Sequence, residues 1–496
     1  MHRDELDKNY HDFDTNQYAS FTKMFRVEEH FSPFAKLSGD NNPLHHDVEY
    51  AGYTEYAKPI VPMHLATLPL STIAGMIFPG HRSLYLSTTI DALKPIYYDD
   101  EVTYSSKIIS KSDSTQILKI RTIIYKSTTV LLSADQVVKV RQDAIPDSAL
   151  EKIQRSHISI QRIKPKVLIT GASGEIGKCT ALAFAKAGFD LILHYQKNKQ
   201  SIQSVVEHCQ RYGVHVEVHQ ANLSAQKEIE KFTLALRNET ISHFIHIASS
   251  GLDSEIDELM STNFIALKKL SETLLPNMLR QQLGHILFIG SSAIHSYPPE
   301  WENYIAAKTA GVSLINSIHK HYQAYGIKAI TISPGLVITP FSAQIRGKEY
   351  TALLPEQVAN AILEALQLKE ITSYYCCDIT GNRAGTYGLS LQDKLNQTES
   401  QYQLLNEKSV DQDRVSTDIK SKLNRIIKSF FKLNDAFELE GSSFENYNSW
   451  DSLKHIQFLL EVESKFNIKF ASHVLDKTVT YNELVDLIGL TTVGTA

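Results

Sequence analysis

Ser291, Tyr304 and Lys308 stand at spacings that suit reduction of a carbonyl group. Ser291 follows an apolar run, ILFIG from Ile286, that reads as a buried strand; Tyr304 comes thirteen residues later and Lys308 four after that. On a helix, a separation of four stacks the phenol and the ammonium on one face. A phenol that titrates at about 10 donates protons poorly near neutrality, and a neighbouring cation lowers that value. The spacing therefore predicts that Tyr304 protonates a developing alkoxide, that Ser291 hydrogen-bonds the same oxygen, and that Lys308 tunes the phenol and holds a cofactor ribose. A tyrosine and a lysine four apart also occur on ordinary solvated helix faces, so the pair calls for a nucleotide site beside it.

Such a site is written upstream. VLITGASGEIG, Val167 to Gly177, gives an apolar strand, a glycine-rich turn and the start of a helix. Gly171, Gly174 and Gly177 allow a tight turn, close approach to a pyrophosphate and close helix packing, with phosphate at the helix N-terminus. The next strand ends in Tyr195, Gln196, Lys197, Asn198 and Lys199, with two cations and no carboxylate. A carboxylate there would bind the ribose 2′-hydroxyl of NAD, so this end favours the 2′-phosphate of NADP. The two lysines also suit a merely solvated loop.

Residues 165–390 resemble a short-chain dehydrogenase/reductase of the β-ketoacyl-ACP reductase branch. The resemblance implies an α/β Rossmann domain, a doubly wound parallel sheet, with Ser291, Tyr304 and Lys308 as catalytic trio. Asn263, in STNFIALKKLSE, is implied as the fourth member, holding a relay water against the lysine. It also implies cofactor contacts from the turn residues Gly171, Ser173, Gly174, Ile176 and Gly177, from Tyr195, Lys197 and Asn222, from Tyr304 and Lys308, and from Pro334, Gly335 and Thr339 in ISPGLVITP. Three departures stand out: the middle glycine falls one residue early, leaving Glu175 after Gly174. Asn222 replaces an aspartate at the adenine, and His246 to Gly251, HIASSG, replaces Asn-Asn-Ala-Gly.

The first 142 residues carry a second constellation. Asp40 and His45 flank the turn Asn41-Asn42-Pro43, which can aim a carboxylate and an imidazole at one point. That pair suits removal of an α-proton and movement of water, although an N-capping aspartate beside an incidental histidine is the plainer alternative. Downstream, the apolar stretch Ile60 to Phe78 and four alternating segments between residues 83 and 140 predict a helix with an antiparallel sheet wrapped round it. This segment resembles the MaoC-like hot-dog (R)-specific enoyl hydratases/dehydratases, an α+β fold, through GDNNPLHHD, KPIV at Lys58 to Val61, and Pro79-Gly80. The resemblance implies Asp40 and His45 as catalytic dyad, Ser71 as a third active-site hydroxyl, and a homodimer through the hot-dog domain. Pro62-Met63-His64 departs from the family's His-Gly-Met, leaving the Met63 N–H as the oxyanion donor.

Residues 143–164 and 391–414 read as linkers. Between 415 and 490 apolar positions recur at helical spacing, and Asp451-Ser452-Leu453 opens a helix. Ser452 alone would be a helix cap. The stretch resembles an acyl carrier protein, an all-α four-helix domain, and its Asp-Ser-Leu signature implies 4′-phosphopantetheine on Ser452.

A chain of 496 residues exceeds one ordinary core, and its net charge of −5 leaves no footprint for nucleic acid. No apolar run reaches the roughly 18 residues of a membrane span and no leader pattern opens the chain, so a cytoplasmic protein is expected. Four cysteines without CxxC or metal-ligand spacing read as reduced packing residues, and no metal site is expected. Together these features predict a multidomain enzyme that uses NADP(H) and a pantetheine arm to reduce, then dehydrate, an acyl thioester. Ketosynthase, acyltransferase and phosphopantetheinyl transferase would be separate partners. Oxidative CoA-dependent turnover, or a carrier scaffold with one inactive domain, are the alternatives.

Overall fold

The computed structural model describes residues 8–150, 156–345, 352–367, 375–379 and 412–431, with single positions between 458 and 488. The chain divides into two compact units, Met1–Gly388 and Leu389–Ala496.

In the first unit an antiparallel sheet, ordered β2-β5-β4-β3-β1-β6, is built from β1 (Gln17–Met24), β2 (Ser83–Ala92), β3 (Glu101–Ser112), β4 (Ile117–Lys126), β5 (Thr129–Val140) and β6 (Gln161–Arg162). Its inner face closes on residues 63–78: Leu65, Leu70, Ile73 and Phe78 pack with Tyr104, Ile120, Leu132 and Val138. The apolar helix expected from Ile60 is broken into α1 (Met63–Thr67), α2 (Pro69–Thr72) and a π-turn (Ile73–Ile77). Proline has no N–H to donate, so Pro62 precedes α1 and Pro69 opens α2. The segment expected to be a linker also departs from the sequence reading: Gln161 and Arg162 pair with Tyr18 and Gln17 and extend the sheet, because β1 leaves an open edge of unpaired backbone groups.

Seven parallel strands form the second sheet, in the order β13-β12-β11-β10-β7-β8-β9. They are β7 (Lys166–Thr170), β8 (Asp190–Tyr195), β9 (Val216–Gln220), β10 (His243–His246), β11 (Gly284–Ile289), β12 (Ile327–Pro334) and β13 (Tyr375–Ile379). Every residue of β10 and β11 is buried, as a sheet covered on both faces requires. One face packs on α3 (Glu175–Lys186), α4 (Lys199–Gln210) and α8 (Pro355–Gln367). The other packs on α5 (Gln226–Leu236), α6 (Ala266–Gln281) and α7 (Glu302–Tyr322). Strand order reverses between β7 and β10, which opens a crevice beyond their carboxyl ends.

The two sheets share a core within this unit. Ile123, Tyr125 and Val130 on the outer face of the first sheet join the cluster around α6. Tyr125 Oη donates to the Pro276 carbonyl (3.1 Å), Ser105 Oγ to the Arg280 carbonyl (2.7 Å), and Gln282 Nε2 to the carbonyls of Ser105 and Arg121 (2.9 and 3.0 Å).

In the second unit, α9 (Gln412–Phe431) buries Leu423, Ile426 and Ile427, and Phe430 meets Phe458 at 5.4 Å between ring centroids. Ser452 lies outside the described residues. No helix among the described residues is long and apolar enough to cross a membrane.

Candidate active site

The crevice between β7 and β10 widens into a cleft of about 900 Å³ whose wall includes the glycine turn, Ser291, Tyr304 and Lys308. Two glycines in the turn are required by close contact. Gly171 has φ +72° and an added Cβ would lie 2.9 Å from the Ala248 nitrogen, while one on Gly177 would lie 2.2 Å from the Gly171 carbonyl oxygen. Gly174 has φ −81° and caps α3 with only the Gly171 oxygen near, at 3.4 Å.

Ser291 stands just beyond β11, and α7 presents Tyr304 and Lys308 one turn apart, both buried. Lys308 Nζ donates to the Ile289 carbonyl at 2.8 Å and sits 5.7 Å from the Tyr304 ring centroid. Burial pushes the Lys308 ammonium down to about 7 and the Tyr304 phenol up to about 12, with a hydrogen bond from Ser291 opposing the second shift. The expected lowering of the phenol by its lysine is thus overturned: desolvation disfavours both charged forms and outweighs their proximity.

Asn263 falls in a π-turn (Ser261–Ile265), a geometry that re-aims side chains at functional sites. Its Nδ2 donates to the Leu259 carbonyl (2.9 Å), while Oδ1 is buried with no partner. Pro334, Gly335 and Thr339 line the cleft after β12, and Ser292 N–H donates to the Pro334 carbonyl (3.0 Å).

At the end of β8 the expected contacts change. Tyr195 is buried, its hydroxyl turned to Gln220 Oε1 (3.3 Å), and Lys197 is exposed away from the cleft wall. The alternation of a strand explains this: the residue that faces the cleft is Gln196, whose Nε2 donates to Asn222 Oδ1 at 2.7 Å. Asn198 also lines the wall and caps α4 through Ser201 N–H (2.9 Å).

Two histidines missed as site residues brace the turn. His246 Nε2 donates to the Thr262 carbonyl (2.9 Å), beside Asn263, and Nδ1 accepts from Thr170 Oγ1 (3.0 Å). His194 Nδ1 accepts from the Gly171 N–H (3.2 Å) and Nε2 donates to the Ala221 carbonyl (3.0 Å). Burial lowers them to about 3 and about 4, so both stay neutral and hold these tautomers. The replacement of Asn-Asn-Ala-Gly by HIASSG was the sequence signal for His246, and none marked His194.

A second constellation lies on the first sheet's side of the unit. Asp40 Oδ2 stands 3.9 Å from His45 Nε2, and His45 Nδ1 donates to the Ile60 carbonyl at 2.9 Å, which leaves Nε2 as the basic nitrogen facing the carboxylate. Asp40 Oδ1 accepts from Asn42 N–H (3.1 Å), and Asn42 Oδ1 from Leu44 N–H (3.0 Å), so the turn is self-held. Ser71 is exposed on α2 with no hydrogen bond to either residue. Met63 occupies the first position of α1, where a backbone N–H has no intrahelical acceptor. Tyr98, which sequence reasoning did not single out, buries an unpartnered hydroxyl; desolvation and the Asp40 charge push it up.

Residues 165–350 match the family model of the short chain dehydrogenases. This segment is a short-chain dehydrogenase domain. The dehydrogenase domain is 28% identical over 221 residues to an uncharacterized oxidoreductase of Bacillus subtilis, covering 42% of this chain and 89% of the relative. It is 24% identical over 212 residues to a 3-oxoacyl-[acyl-carrier-protein] reductase of Staphylococcus epidermidis, covering 41% and 83%. Among solved structures, a short-chain dehydrogenase from Sphingobium yanoikuyae in complex with NADPH superposes with TM-score 0.40 at 23% identity, covering 50% of this chain and 97% of its own.

Proposed function

We propose that the dehydrogenase domain reduces a β-ketoacyl thioester with NADPH. The observation that carries this reading is the convergence of Ser291, Tyr304 and Lys308 on the cleft at the sheet's switch point. The cleft's size, the bare Gly174, and the orphaned Asn263 Oδ1 fit a dinucleotide and a relay water. Gln196 and Asn198 place no carboxylate at the end of β8, and Asn222 adds none beyond β9, which supports NADP(H) over NAD. Held at the glycine turn and beside Tyr304 and Lys308, NADPH would supply the hydride for the β-carbon. Tyr304 then gives its phenolic proton to the oxygen, Ser291 holds that oxygen, and Lys308 with Asn263 reloads the phenol through water. The similarity to a 3-oxoacyl-[acyl-carrier-protein] reductase supports the thioester as substrate class.

The remaining parts of the reading extend from this step. His45 would take the α-proton of the 3-hydroxyacyl product and pass it to the departing hydroxyl, which Asp40 orients, so that water leaves and an enoyl thioester remains. The acyl chain would ride on 4′-phosphopantetheine at Ser452, attached by a separate transferase and elongated by a separate ketosynthase and acyltransferase. A homodimer would form through β2, an edge strand with Leu84, Tyr85 and Leu86 exposed.

The test is to attach acetoacetyl-pantetheine to Ser452 of the full chain, add NADPH and follow the mass of the carrier segment. The expected series is a gain of two hydrogens followed by loss of water. Tyr304→Phe should block the gain, and His45→Ala only the loss. No change in mass with intact wild-type protein would overturn the reading.

A further inference from the structure

The nucleotide of the proposed reductase brings several negative charges to a cleft that offers few positive ones. Among the described residues, Lys178 and Lys308 are the only lysine or arginine side chains that line it. Lys308 is buried beside Tyr304, at the reacting end. Lys197 and Lys199, the cations favoured by spacing, are exposed and off the wall.

Lys178 lies in the opening turn of α3, one turn beyond Glu175 at the first helical position. Its Nζ donates to Glu175 Oε1 at 2.8 Å, and both side chains remain partly open to solvent, at 31% and 40%. A helix N-terminus attracts an anion, and Glu175 already fills that role. An incoming phosphate must compete with this carboxylate both for the helix end and for the ammonium.

We propose that Lys178 is the cation that receives a phosphate of the dinucleotide, and that Glu175 is the counter-ion which that phosphate displaces. The ion pair is therefore exchanged on binding: Lys178 is held in place while the cleft is open, and Glu175 sets the affinity below what the lysine alone would give. The inference rests on the NADP(H) reading above and assigns a phosphate contact of that site to α3.

Equilibrium titration of the full chain with NADPH and with NADH, followed by nicotinamide fluorescence without acyl substrate, tests it. Lys178→Gln should weaken NADPH binding about ten- to a hundredfold, the loss of one charge-assisted contact, and flatten its salt dependence. Glu175→Gln should tighten binding about two- to fivefold, the opposite sign, as expected on releasing a half-exposed pair. An equal loss for both nucleotides in Lys178→Gln puts the lysine on the pyrophosphate, and a loss confined to NADPH puts it on the 2′-phosphate. Unchanged affinity for both nucleotides would overturn the assignment and leave the reductase reading standing. Wild-type protein that binds neither would overturn both.

Discussion

Lys308 illustrates what burial does to an ammonium placed beside a phenol. With its ammonium pushed down to about 7, the folded protein holds the neutral amine more readily than the unfolded chain does, whose lysines titrate at about 10.5. The charged form is thus present below about 7 and lost above it, so kcat/KM for ketone reduction, which reports free-enzyme groups, is expected to fall as pH rises through that value. The same burial makes the residue a burden on stability. Lys308→Met should raise the melting temperature at neutral pH, by an equivalent of roughly 1–2 kcal/mol, while abolishing reduction; thermal unfolding beside a turnover assay checks both. His246 presents the reverse case. It accepts from the Thr170 hydroxyl and donates to the Thr262 carbonyl, so His246→Ala removes two buried hydrogen bonds at once and should cost about 2–3 kcal/mol, read from denaturant unfolding.

Elements explain why these residues meet. The helix α7 carries Tyr304 and Lys308 on one face because the intervening turn is ordinary α-helix, whereas the π-turn before α6 turns Asn263 inward at Ser261–Ile265. Edge strands carry the opposite risk. The strand β2 is ten residues long and mostly exposed, with Leu84, Tyr85 and Leu86 bare on an unpaired edge. If that edge is the proposed dimer contact, replacing Leu84 and Leu86 together by Lys should yield a monomer by sedimentation without unfolding the sheet. A dimer that persists would place the contact elsewhere.

At the scale of the molecule, the shared core makes residues 1–388 a single structural unit, with a weak point at low pH. His243 and His285 stack at 4.6 Å on neighbouring strands, near Lys107 from the first sheet. Burial holds His243 at about 4 and His285 well below its ordinary value, and His285 Nδ1 has no partner. Folded-state values below the unfolded 6.5 mean that the unfolded chain binds more protons in this window. Stability is therefore complete above about pH 6.5 and declines as pH falls towards 4, by roughly 1 kcal/mol per pH unit for each histidine. His285→Phe should shallow that decline in a series of melts from pH 7 to 4. Ile123→Asp, which puts a charge into the joint, should lower the melting of both sheets together, because neither buries its facing surface without the other.

The order of strands and helices, the glycine turn and the spacing of Ser291, Tyr304 and Lys308 were legible in the sequence, because they depend on local periodicity and on residue types with few alternatives. The Asp40–His45 turn was legible for the same reason, its geometry being held by side chains two residues apart. What the tertiary structure alone decided was environment. Whether Lys308 lowers the tyrosine or is itself lowered depends on how much water is excluded around both. Whether Lys197 or Gln196 faces the cleft depends on the phase of one strand at its end. That Gln161 and Arg162 complete a sheet instead of linking two domains depends on an edge left open by residues more than a hundred positions away, and no local pattern records that distance.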